Sequence, residues 1–117
     1  HAFLNEDNIF WNFPGGGLEE GEDFISALQR EFREETRLEV SVHELIHIHQ
    51  HLSGKLHGIE LYFRVSALNL APELGTDPEG NILTELGWFT PKDLAQLKPG
   101  HGPDFLNKPD FLNKIAF

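Results

Sequence analysis

Phe24, Ala27, Leu28 and Phe32 recur at three- and four-residue spacing. That period predicts an amphipathic helix over about residues 23–36, with those four side chains as its apolar stripe. Farther on the period changes to two: Ile59, Leu61, Phe63 and Val65 alternate with Glu60, Tyr62 and Arg64. Such alternation predicts a half-buried strand. Residues 39–50 and 56–68 therefore read as two strands joined by a turn at Ser53, Gly54 and Lys55. Residues 1–4 look like a strand end, residues 5–8 like a turn, and residues 9–13 like a second strand. Residues 71–81, rich in proline and glycine, read as a loop, and residues 82–89 as a further strand. Thr90 then fits an N-cap and Pro91 the first residue of a short helix reaching Leu97. The tail repeats PDFLNK at 103–108 and 109–114. Two copies are too few for a solenoid, so Phe105, Leu106, Phe111 and Leu112 read as anchors to the body or as a partner contact.

Composition narrows this picture. A chain of 117 residues, 39% hydrophobic with ten Phe, fits one folded domain over residues 1–117. A formal charge of −10 argues against unassisted binding to nucleic acid polymers or anionic membranes. No apolar run approaches the roughly 20 residues of a membrane span. The lack of cysteine excludes disulfides and thiol catalysis and is compatible with a cytoplasmic enzyme.

Candidate chemistry gathers at the helix. Glu31, Glu34 and Glu35 stand at i, i+3 and i+4, which puts three carboxylates on one side. Like charges at that spacing repel; a hard divalent cation with oxygen ligands reverses the sign. Before the helix, Pro14 leads into Gly15, Gly16 and Gly17, whose backbone can approach a ligand closely and offers N–H groups to phosphate oxygens. Together the two features suggest metal-assisted chemistry on a phosphate or diphosphate. A separate set, His47, His49 and His51, falls on one strand face, with His57 across the turn. It reads as a polar, partly exposed face in preference to a zinc site, which usually draws on cysteine or split ligand pairs.

The stretch from Gly16 to Leu38 resembles the signature of the Nudix hydrolases. Gly16 is followed after five residues by Glu22, then after seven by Arg30, with Glu31, Phe32, Glu34, Glu35 and Leu38 in their places. One position departs, since the late glycine is Arg37. The resemblance implies an α+β fold: a mixed, curved sheet with the signature helix packed on it and a second short helix late in the chain. It also implies a longer strand-rich lead before residue 9, so the strand region there is shortened or a partner supplies the pairing, and a homodimer is worth testing. The implied activity is hydrolysis of a nucleoside diphosphate linked to another group, with Glu31, Glu34 and Glu35 holding Mg²⁺ or Mn²⁺. Arg30 would hold a carboxylate in position, and Gly15, Gly16 and Gly17 would shape the phosphate pocket. The water's proton would go to Glu31 or to a glutamate outside the signature, such as Glu79 or Glu85. Glu22 would support the loop and helix, and Trp11, Phe13 or Tyr62 could stack on a base. The alternative is a Nudix-like module that senses a nucleotide without cleaving it.

Overall fold

Asp23 opens the first helix, α1 (Phe24–Thr36), by accepting the Ser26 N–H at 2.7 Å on its side chain. The computed structural model describes residues 9–76 and 83–115; the expectations for residues 1–8 and for Glu79 fall outside these. At the other end of α1, Arg37 takes the left-handed conformation with φ 61° and donates its N–H to Arg33 O. An arginine therefore occupies the position where glycine is conformationally favoured.

The buried side of α1 differs from the expected stripe. Phe24 is 53% exposed, while Ala27, Glu31, Glu35 and Thr36 are buried. The glycine turn lies against the carboxylate side of the helix, through Gly15 N–H to Glu35 Oε1, and the segment 73–76 against its C-terminal end, through Gly75 N–H to Glu35 O. Cover therefore falls on acids instead of on Phe24.

After α1 the chain enters β1 (Ser41–Ser53), turns through Gly54 at φ +59°, and returns as β2 (Leu56–Ser66). The strands pair antiparallel, with His47 opposite Tyr62 and Ile48 opposite Leu61. Two irregularities between Val42 and His47 bend the pair. Among the described residues this is a two-stranded sheet, so the architecture is α+β, without the mixed sheet expected. Residues 9–13 and 83–89 form no strand. Trp11 instead donates its N–H to His101 O at 2.8 Å and sets its ring 4.7 Å from Phe89. Aromatic packing takes the place of a ladder there.

The hairpin's covered face is also reversed from expectation along its outer half. Ile59 is 66% exposed, and Ile48 and Leu52 on the same face are exposed too. The face with His47 and Tyr62 is the covered one: the His47 ring lies 4.4 Å from Phe105 and 5.2 Å from Phe111. The C-terminal segment supplies this cover. It begins with α2 (Pro91–Ala95), where Thr90 and Asp93 form a reciprocal cap, and ends two residues before the expected Leu97. The first PDFLNK copy makes a 3₁₀ turn (Asp104–Asn107) and the second makes α3 (Pro109–Ile115). One hexapeptide thus takes two helical forms, and both bury their phenylalanine. Leu94, Phe105, Leu106 and Phe111 form the core, with Phe13 and Tyr62 packed against it. No helix among the described residues is long and apolar enough to cross a membrane.

Candidate active site

The three signature acids do not share one environment. Glu31 is 1% exposed and Glu35 3%, while Glu34 is partly open to solvent. Burial of two carboxylates is costly unless each is hydrogen-bonded or paired. The glycine turn meets part of that need, because Gly15 donates its N–H to Glu35 Oε1 at 2.9 Å. Gly16 passes so close to Glu31 that an added Cβ would press on the carboxylate, with Cδ at 2.7 Å. No residue with a side chain fits at Gly16 unless Glu31 moves. Gly17 contributes its carbonyl, which accepts from Arg30 Nη2 at 3.2 Å.

Arg30 is the hub of the charges. Its Nε and Nη2 form a bidentate pair with Glu22, at 2.7 and 3.0 Å. Its Nη1 reaches Glu31 Oε1 at 3.0 Å and Glu34 Oε2 at 3.1 Å. The guanidinium holds the Glu22 carboxyl below the ordinary carboxylate range, helped by the Glu19 N–H. In return Glu22 raises Arg30 further above its already high value. Glu22 so ties the approach loop to the helix, and one cation joins the loop to two of the signature acids.

The helix end carrying Glu34 and Glu35 is gripped from outside. Glu73, Gly75 and Thr76 donate their N–H groups to Thr36 O, Glu35 O and Glu34 O, each at 2.9 Å. Beyond reading 71–81 as a loop, the sequence offered no sign of this contact except the glycine at 75. Behind α1 lies an apolar cavity of about 370 Å³, lined among others by Trp11, Phe32, Val65, Trp88 and Phe89. Glu85 stands exposed at its edge. Phe13 and Tyr62 pack together in the core, 5.7 Å apart.

Three acids on one helix, with a Cβ-free cradle against Glu31, make a hard, anionic oxygen set. That set suits Mg²⁺ or Mn²⁺ better than a soft metal. Among the described residues no three acids or imidazoles stand in a finished cation cage. Between Glu31 and Glu34 the positive charge is Arg30's own. The histidines of β1 do not gather either: His47 is enclosed by aromatic rings, and His49 lies 6.4 Å from His51, ring to ring.

Comparison with known proteins agrees with this geometry. A family profile described as the NUDIX domain matches residues 3–108. A MutT-like protein from Streptomyces ambofaciens is 30% identical over 95 residues, which cover 81% of this chain and 57% of that relative. The chain thus spans little more than half the length of the relative it matches. With the signature helix, its glycine turn and its acids in place, the chain belongs to the Nudix family, whose members are generally hydrolases that use divalent metal ions.

Proposed function

We propose that this protein is a Mg²⁺- or Mn²⁺-dependent hydrolase that cleaves the diphosphate linkage of a nucleoside diphosphate joined to another group. Nucleoside triphosphates and ADP-ribose are the first substrates to consider. One observation carries the reading: Glu31 and Glu35 are buried beside Glu34, against a glycine turn that leaves room for nothing larger than hydrogen at Gly16. Burial of two acids without structural need is expensive, and a site that binds a cation and a phosphate gives them a use.

Glu31, Glu34 and Glu35 would hold the metal. When bound, it would neutralise charge on the diphosphate and make a water more acidic. Glu31, or an acid outside the signature, would accept the proton of the attacking water. Before a metal binds, Arg30 draws Glu31 and Glu34 toward one point through Nη1, while Glu22 holds the other edge of the guanidinium. The backbone of Gly15 to Gly17 would border the phosphates, and its N–H to Glu35 fixes the distance between turn and helix.

A panel of nucleoside triphosphates, ADP-ribose, dinucleoside polyphosphates and nucleotide sugars, with and without Mg²⁺, tests the proposal. Metal-dependent release of phosphate or nucleotide from one of them is expected. Binding without turnover across the panel would replace it with the sensing reading. In the active case Glu34→Gln should lower the rate by about 100-fold with an unchanged circular dichroism spectrum. Full activity in that variant would remove Glu34 from the ligand set.

A further inference from the structure

The grip on the last turn of α1 points to a residue outside the signature. A helix leaves its final carbonyl groups without partners inside the helix. In this chain the N–H groups of Glu73, Gly75 and Thr76 take those of Thr36, Glu35 and Glu34. Two of these carbonyls belong to Glu34, the partly open acid of the site, and to Glu35, one of its two buried acids. Their peptide planes are therefore fixed from the helix side and from the loop side together.

The contact is possible only because residue 75 is glycine. A Cβ there would overlap Glu34 O and come within 2.8 Å of its carbonyl carbon and 3.1 Å of that of Glu35. The obstacle is backbone, not the flexible end of a side chain. An added methyl must push residues 73–76 off the helix end or tilt the turn that carries Glu34 and Glu35.

We propose that Gly75 is a positioning residue for the acidic site, acting through the backbone of Glu34 and Glu35. This rests on the reading of those acids as metal ligands. The backbone clamp can also be examined apart from that reading. Small tilts of ligand-bearing backbone weaken metal binding, since supporting contacts typically carry 10- to 100-fold in affinity.

The test uses the full chain and Mn²⁺ alone, with free Mn²⁺ counted by electron paramagnetic resonance. Gly75→Ala should bind Mn²⁺ about tenfold or more weakly while remaining folded. Its activity, on whichever substrate the panel finds, should return toward wild type as Mn²⁺ is raised. A urea midpoint taken without metal separates this from lost stability, which would lower the midpoint and leave the Mn²⁺ affinity of the folded protein unchanged. Gly58→Ala is the control, because among the described residues a Cβ at Gly58 meets nothing nearer than His51 Cβ at 3.9 Å; its Mn²⁺ affinity should match wild type. If Gly75→Ala does not fold, Thr76→Pro carries the same expectation, as it deletes the N–H given to Glu34 O. Separately, amide hydrogen exchange should show Gly75 and Thr76 protected in the metal-free wild type. Equal Mn²⁺ affinity in the Gly75→Ala and wild-type proteins overturns the proposal and leaves the acids as ligands. Protected amides in a wild type that binds no Mn²⁺ would instead remove the acids' metal role, and the positioning role with it.

Discussion

Arg37 holds a conformation that its own Cβ resists. A residue with a side chain in the left-handed region costs about 1–2 kcal/mol, and Arg37 sits there at φ 61° to let the chain leave α1. Its positive charge at the helix C-terminus returns only a fraction of that. Arg37→Gly should therefore raise unfolding stability by about 1 kcal/mol, read from the urea midpoint, with Mn²⁺ binding unchanged. The spacing of Glu31, Glu34 and Glu35 was legible at this scale, as was the special backbone demand at position 37. Which acids are buried was not legible, because that depends on Gly15 and Gly16 folding back over the helix. Periodicity ranks Phe24 above Glu31 for the interior, and the glycine turn reverses the order.

Among elements, β1 shows the limit of an alternating pattern. The pairing of the two strands and their turn at Gly54 follow from sequence, but the choice of covered face does not. That choice belongs to the 3₁₀ turn and α3, which bring Phe105 and Phe111 onto the histidine side of the hairpin. His47 is enclosed as a result, with both ring nitrogens buried and without a hydrogen-bond partner among the described residues. Burial pushes it below the ordinary imidazole value of 6.5, and Lys114 on α3 and His49 on β1 push the same way. From β2, Tyr62 faces the ring, with its hydroxyl on Glu60. The unfolded chain takes up this proton more readily than the folded one. His47 thus favours the fold fully above about pH 6.5, and the benefit fades as pH falls from there through the folded value. His47→Phe should remove that part of the acid-side loss, so that urea midpoints at about pH 7.5 and about pH 5.5 draw closer together than in wild type. An unchanged difference would mean that other groups set the acid sensitivity.

At the level of the whole molecule, the interior is assembled from distant parts of the chain. Phe13 near the start, Tyr62 in β2, Leu94 in α2 and Phe111 in α3 meet in one cluster. Phe111 is 1% exposed, and Phe111→Ala should cost about 3–5 kcal/mol by chemical denaturation, with the far-UV and tryptophan signals lost together. A loss under 1 kcal/mol would mean that the tail is an appendage. The repeated PDFLNK announced anchors, although not that its copies would adopt different helices. Periodicity and spacing marked the helix and its acids, and the resemblance supplied the α+β class. It could not supply the sheet partners for residues 9–13 and 83–89, because an apolar run does not name the strand it pairs with. Here Trp11 found Phe89 instead.

The Arg30 guanidinium lies where Glu31 and Glu34 most need positive charge. The molecule carries its own counter-ion on a tether, so its acids need not wait for an external one before the chain can fold. Any cation entering between them must first evict Nη1. Its advantage is then the difference between two attractions, with Glu22 ready to keep the displaced guanidinium close at hand.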